Sequence, residues 1–232
     1  MMKKIALIFA VALLMAACDR VREEVVTTFP DGSPELVYLV KGKTDAPLLM
    51  GEKRYYSNGE KHSEIHYMDD EKTPSGVWQF YYPTGALFAK ADYSKGGRWT
   101  FHTDGERNAF LQMECDSMCM AQLSEKNLPL EVHRCKGDST WVYTFYEDFL
   151  EKSEGLMVGG VRDGKWLFFY PNGQLQLEAL FIGGVENGMY NSYRENGIPI
   201  FRGFYINGQR AGIWEFYDQQ GDLSGRLNYD SK

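Results

Sequence analysis

The stretch Gly164-Lys165-Trp166-Leu167-Phe168-Phe169-Tyr170-Pro171-Asn172-Gly173 decides the fold, because close copies of it recur along the chain. Residues 76–85 repeat it position by position, and further copies begin at Gly188 and Gly212, each 24 residues after the one before. Trp166, Phe168 and Tyr170 share one face if this stretch is an extended β-strand, because strand side chains alternate between the two faces. The closing Asn-Gly pair is typical of a hairpin tip, because glycine reaches positive φ without steric cost.

The repeat predicts an all-β protein, an elongated antiparallel meander of hairpins of about 24 residues with one short helical insertion. In such an arrangement each repeat contacts mainly its neighbours and cannot bury its apolar face alone. The segments that we predict are residues 1–17 as a signal peptide, 18–28 as a lipidated N-terminus and linker, 29–105 as N-terminal repeats, 106–136 as the helical insertion and 137–232 as C-terminal repeats.

The composition is that of a globular, acidic protein. Of 232 residues, 44% are hydrophobic and 25% are charged, which excludes wholesale disorder. The net charge of −7 leaves no basic surface of the kind that nucleic acid requires, so we expect no nucleic-acid partner. The same charge argues against direct attraction of the repeats to anionic lipid.

The N-terminus has the three parts of a secretory signal. Lys3 and Lys4 precede an apolar stretch over residues 5–15, and small residues then precede Cys18. Residues 14–18, Leu-Met-Ala-Ala-Cys, resemble the lipobox of bacterial lipoproteins. The resemblance implies a diacylglyceryl group on the Cys18 thiol, cleavage before Cys18 and an acyl chain such as palmitate on the new amine, with no other cofactor. We therefore expect a membrane-anchored protein of the cell envelope, with inner and outer membrane left open.

The pattern Gly-x-Trp-x-Phe-Tyr-x-x-x-Gly resembles the variant MORN repeat, which occurs in bacterial lipoproteins and in proteins labelled YwqK-like antitoxins. The resemblance implies an interaction scaffold and a structural role for the motif residues. We expect the aromatic residues in the core, with any exposed rings on the wet face of the sheet forming a binding strip. The motif positions are Gly76, Trp78, Gly85, Gly164, Trp166, Gly173, Gly188, Tyr190 in place of tryptophan, Gly197, Gly212, Trp214 and Gly221.

The 24-residue rhythm stops between residues 106 and 136. Apolar residues and cysteines there recur at helical spacing, and residues 108–126 contain no glycine or proline, which predicts an amphipathic helix. The residues at that spacing are Leu111, Cys115, Met118, Cys119 and Gln122.

Three cysteines of this region are disulfide candidates, because an exported chain meets an oxidising compartment. Pairing of Cys135 with Cys119 or with Cys115 is open, whereas Cys115 and Cys119 lie one helical turn apart and fit the geometry less well. Free thiols, or a zinc site that adds His133, are the alternatives, although the spacing matches no common zinc finger.

The sequence contains no recognisable catalytic motif. A nucleophile elbow, a phosphate-binding glycine loop and a dinucleotide fingerprint are all missing from it. His62, Glu64 and His66 share one face of a predicted strand, but their charged neighbours favour a solvated surface over a metal site. We predict no catalytic residue, no metal and no enzyme activity.

The function predicted from the sequence is a lipid-anchored scaffold that binds a protein or glycan partner through its repeats. Two alternatives stay open at this point. One is an antitoxin or immunity protein that neutralises a toxin by charge, and the other is a glycan-binding or carbohydrate-active protein.

Overall fold

The computed structural model describes residues 20–102, 113–114 and 119–230. The chain divides into two compact units, Met1–Cys115 and Asp116–Lys232, and each contains one antiparallel sheet. In both sheets every strand pairs with the strands before and after it in the chain, so hairpin follows hairpin. The predicted all-β hairpin meander is confirmed.

The described part of the first unit has eight strands in chain order and one turn of 3₁₀ helix, Tyr93–Lys95, between its sixth and seventh strands. The strands are β1 (Arg22–Thr28), β2 (Pro34–Lys43), β3 (Ala46–Tyr55), β4 (Lys61–His66), β5 (Val77–Tyr81), β6 (Leu87–Asp92), β7 (Arg98–Phe101) and β8 (Met113–Glu114).

In the second unit, residues 119–230 form ten strands, again in chain order. They are β9 (Cys119–Leu123), β10 (Pro129–Lys136), β11 (Ser139–Phe145), β12 (Glu151–Val158), β13 (Val161–Phe169), β14 (Leu175–Ile182), β15 (Val185–Tyr193), β16 (Pro199–Ile206), β17 (Gln209–Tyr217) and β18 (Leu223–Asn228).

Two kinds of turn alternate along the second sheet and set the 24-residue period. At one end of the strands, four-residue tips close with an N–H that donates to the carbonyl three residues earlier, as from Gly173 to Tyr170 at 2.8 Å. At the other end, three two-residue turns have both residues at positive φ, as in type I′ hairpins. These turns are Gly159-Gly160, Gly183-Gly184 and Asn207-Gly208.

Successive tips are joined by side-chain hydrogen bonds. The Tyr170 hydroxyl donates to the Tyr193 carbonyl of the next tip at 2.9 Å, and the Asn172 amide donates to the Glu195 carbonyl at 2.8 Å. In the next repeat a guanidinium takes the place of the hydroxyl, because Arg194 donates to the Tyr217 carbonyl at 3.2 Å. Each such bond satisfies a backbone carbonyl of the neighbouring tip, so the repeats are linked beyond the strand ladder.

One tip differs from its sequence-based alignment. The sequence suggests that Asp148 replaces the turn glycine, but the structure puts Phe149 at that position, with φ 63° and its N–H donating to Tyr146 at 2.9 Å. Asp148 instead accepts the N–H of Leu150 at 3.2 Å, as Asn172 does in the next repeat. Positive φ is strained for an aromatic residue, and Phe149 keeps it with a fully buried ring.

The predicted helical insertion is wrong for the described residues. Cys119–Leu123 and Pro129–Lys136 form an antiparallel pair of strands, joined by a turn in which Asn127 has φ 58°. Pairing with β10 gives this short apolar segment backbone partners along one side, and this pairing outweighs its helical spacing. Residues 103–112 and 115–118, which contain the rest of the predicted helix, lie outside the described residues.

Candidate interaction surface

The tryptophans of the predicted motif lie in the core. Trp78, Trp166 and Trp214 are 1%, 3% and 0% exposed. Each indole N–H donates to a backbone carbonyl of the preceding strand, at distances from 2.8 to 3.1 Å. A buried indole with its N–H satisfied stabilises the sheet and offers no face to a ligand.

Two glycines make room for these indoles. Gly155 and Gly203 each lie 11 residues before a tryptophan, and a Cβ on either would approach the indole ring of Trp166 or Trp214 to 2.2 or 2.3 Å. The repeat motif does not predict either glycine, because both lie outside the part of the sequence that repeats most clearly. Their spacing of 48 residues, two repeats, is the signal that could have found them.

The motif glycines occupy two kinds of position. Gly85, Gly173, Gly197 and Gly221 end the four-residue tips, where φ lies between 79° and 93°. The glycines of the Gly-x-Trp pairs also have positive φ and precede or interrupt a strand, as Gly164 does where β13 shifts register against β12. The other three are Gly76, Gly188 and Gly212.

Arginines cover the aromatic side of the second sheet, which we call the aromatic face. The guanidinium of Arg162 lies 4.7 Å from the centre of the Trp166 ring, and that of Arg210 lies 4.3 Å from the Trp214 ring. Between them, Tyr190 packs edge-on against Tyr205 at 4.9 Å. Guanidinium groups over ring faces close this side of the sheet to solvent while keeping the charge hydrated.

The opposite side of the second sheet, the open face, carries exposed apolar residues that are aliphatic except for the ring of Phe204. Ile182 and Val185 are cross-strand partners beside a two-residue turn. Ile182 follows Phe181, whose side chain lies on the aromatic face, so the side chains of Ile182 and its partner Val185 point to the opposite side. The exposed fractions of this set, which we call the apolar strip, lie between 37% and 62%. The strip consists of Val158, Val161, Ile182, Val185, Phe204, Ile206 and Ile213.

Beside the apolar strip runs a row of mostly polar residues, one on each strand from β12 to β18, which are cross-strand partners of one another. The Glu178 carboxylate binds the Lys165 ammonium at 2.6 Å, and the Glu215 carboxylate binds the Arg226 guanidinium at 2.8 Å. Residues of the row and of the strip together line a shallow hollow of about 760 Å³. Its lining includes Met189, Asn191, Arg202, Phe204, Ile213 and Glu215.

The histidine-containing strand of the first unit is an ion-pair network. Glu64 contacts the Lys61 ammonium at 2.5 Å and the His66 ring at 3.6 Å, while His62 is 8% exposed against the Tyr56 ring. Burial lowers the pKa of His66, and the Glu64 carboxylate opposes that shift only in part. Across residues 20–102, 113–114 and 119–230, no group of three or more histidine, cysteine or acidic side chains is placed to hold a metal ion.

Of the four cysteines for which the sequence makes predictions, the described residues include Cys119 and Cys135. Cys18 and Cys115 lie outside the described residues, and the backbone of Cys119 lies opposite Arg134. Cys135 carries a free thiol, which accepts a hydrogen bond from the Thr140 hydroxyl at 3.7 Å. The disulfide therefore stays a prediction.

Three segments of the chain match the family model described as the MORN repeat variant, at residues 52–69, 74–95 and 162–182. They correspond to the β3–β4, β5–β6 and β13–β14 hairpins. The chain therefore contains MORN-type repeats in both units.

No curated protein is significantly similar in sequence. Two solved structures, "Crystal Structure of TcdB2-TccC3-TEV" and "Crystal Structure of TcdB2-TccC3 without hypervariable C-terminal region", are each 12% identical over 91% of this chain, with TM-scores of 0.23 and 0.25. The chain spans 12% of the length of each, and TM-scores this low do not indicate a common fold. Among the described residues, none of the helical structure has the length and apolarity to cross a bilayer.

Proposed function

We propose that this protein is a lipid-anchored component of the bacterial cell envelope, and that its repeat sheets form a non-catalytic scaffold that binds a partner protein. The observation that carries the binding role is the apolar strip, seven large apolar side chains exposed side by side on one face of a sheet. Contiguous apolar surface of this kind is typical of protein interaction sites.

The burial of the tryptophans favours a protein partner over a glycan. Sugar binding commonly requires ring faces that are open to the ligand, whereas these indoles are enclosed and two of them lie beneath arginines. The open face instead combines aliphatic side chains with salt-bridged charges, which suits a partner with an apolar centre and a polar rim.

The anchor is supported by the sequence of residues 1–18, and the first strand begins at Arg22, four residues after Cys18. A thiol carrying a diacylglyceryl group, together with an acylated amine, supplies enough methylene burial for stable membrane attachment. In this proposal the two units are held close to the membrane surface by a short tether.

We expect Ile182→Glu/Ile206→Glu to lose the partner that co-purifies with the wild-type chain from detergent-solubilised envelopes, because two buried carboxylates would penalise the interface by several kcal/mol. Quantitative mass spectrometry of the purified material measures the loss. Val26→Glu, at an exposed position on β1, is the matched control and should retain the partner. Cys18→Ala should release the chain from the membrane fraction; retention of that variant in the membrane would contradict the anchor.

A further inference from the structure

One row of the open face has a charge pattern that departs from the repeat. Cross-strand pairing links seven residues directly, one on each strand from β12 to β18. In strand order they are Glu154, Leu167, Glu178, Asn191, Arg202, Glu215 and Arg226. Four of them occupy the same repeat position at intervals of 24 residues, yet the first two are glutamates and the last two are arginines. A structural role shared by all repeats would keep one residue type, so the change of sign calls for another cause.

The change of sign falls at the middle of the row. Asn191 on β15 is central, with the two glutamates on one side and the two arginines on the other. The salt bridges within the sheet follow the same change of sign. On one side of β15 the Lys165 ammonium of β13 binds the Glu178 carboxylate of β14, and on the other side the Glu215 carboxylate of β17 binds the Arg226 guanidinium of β18. Within the row, Glu154 on β12 and Glu178 on β14 therefore correspond to arginines on β18 and β16, while Leu167 on β13 corresponds to Glu215 on β17.

The centre of the apolar strip is symmetric about the same strand. Val185 lies on β15 itself and Ile182 on β14 corresponds to Ile206 on β16, whereas Val161 on β13 corresponds to the polar Gln209 on β17. About β15 the open face is thus symmetric in Ile182 and Ile206 and antisymmetric in the charges at positions 154, 178, 202 and 226. A surface with both properties is complementary to itself under a two-fold rotation that reverses the order of the strands.

We propose that the occupant of the open face is a second copy of this chain, packed face to face about a two-fold axis that runs parallel to β15. This inference rests on the proposed function in taking the open face as a binding surface. In the dimer, β14 of one copy lies over β16 of the other, so Ile182 packs against Ile206 and Glu178 faces Arg202 across the interface. Glu154 faces Arg226 by the same rotation, and the two Asn191 residues meet near the axis.

The size of this contact predicts a reversible dimer. Seven strands about 4.8 Å apart span about 29 Å, and stacked sheets pack about 10 Å apart with their strands nearly aligned. A face of that width, with the strip and the row on it, buries on the order of 1,000 Å² in total, which is the lower end of specific interfaces. We therefore expect a dissociation constant in the micromolar range.

The test is sedimentation velocity of the mature full-length chain in a nonionic detergent over a concentration series, with charge-reversed variants. Glu178→Arg and Arg202→Glu should each weaken self-association at least about tenfold, because like charges then face each other twice in the dimer. An equimolar mixture of the two variants should form a heterodimer with about the affinity of the wild type, because both facing pairs are again of opposite sign.

Glu35→Arg, the same charge change at an exposed position of β2, is the matched control and should dimerise like the wild type. Circular dichroism of each variant checks that the sheet is retained. A wild-type chain that is monomeric at every concentration, a dimer indifferent to both single reversals, or a mixture that fails to form a heterodimer would each overturn the inference. A monomeric chain whose partner is still lost in Ile182→Glu/Ile206→Glu would overturn the second copy as occupant and leave the proposed function intact.

Discussion

Gly203→Ala is expected to lower the free energy of unfolding by about 3 kcal/mol, although it adds a single methyl group. The added Cβ would lie 2.3 Å from the ring of Trp214, a fully buried indole whose N–H is bonded to the Phe204 carbonyl. The ring cannot move away without breaking that hydrogen bond and its contacts with Tyr205 and Tyr229. Urea unfolding followed by tryptophan fluorescence measures the change.

Gly225→Ala is the matched control for this prediction. Gly225 lies on β18, the edge strand of the same sheet, and a Cβ there meets no atom within 4 Å. Its φ is not in the positive range, so alanine should be neutral or should stabilise the protein by about 0.5 kcal/mol through the unfolded state. Equal effects of the two substitutions would show that the indole does not lie over Gly203.

The second large effect concerns the pH dependence of stability. Burial, with a further contribution from the Glu154 carboxylate, raises the pKa of Glu151 from 4.5 to about 8. The folded protein therefore holds a proton on Glu151 that the unfolded chain releases above about pH 4.5. The stability due to this group is fully present below that pH and is lost as the pH rises through 8, by a few kcal/mol. The pKa of Glu154 is also raised by burial, so its contribution has the same sign.

Glu151→Gln should remove most of this dependence. A neutral amide needs no proton, so the variant should be more stable than the wild type at pH 8 and similar to it at pH 5. Thermal unfolding of both proteins between pH 5 and 8.5 provides the comparison, with Glu35→Gln at an exposed position as the control. If the thermal-unfolding midpoint of the wild type does not fall relative to that of Glu151→Gln between pH 5 and 8.5, the result contradicts a buried Glu151 carboxyl that is protonated in the folded protein.

The fold could be predicted from the sequence because its turns are encoded locally. Asn172-Gly173 and Gly183-Gly184 each specify a hairpin without reference to distant residues, and their 24-residue spacing fixes the order of the strands. The strands β9 and β10 could not be predicted in this way. Residues 119–123 are too short for their apolar spacing to distinguish helix from strand, and the choice depends on pairing with β10.

The candidate surface was harder to predict than the fold. The aromatic residues dominate the repeat, and the sequence predicts them in the core, with a binding strip formed by any rings that are exposed. In the structure the rings face the small residues Gly155, Ala179 and Gly203, so the exposed apolar residues are mainly aliphatic and flank the two-residue turns. The 24-residue spacing of Val158, Ile182 and Ile206 was present in the sequence, but their exposure depends on which face of the sheet the indoles occupy.

The most direct test of the account is site-specific photo-cross-linking in living cells at two adjacent positions of β16. Phe204 lies on the open face and is 56% exposed, whereas Tyr205 lies on the aromatic face and packs edge-on against Trp214 at 5.3 Å. A photoreactive phenylalanine analogue at position 204 should give a discrete cross-linked protein, and the same analogue at position 205 should give none. Cross-linking from position 205 alone, or from neither position, would contradict the assignment of the open face as the binding surface.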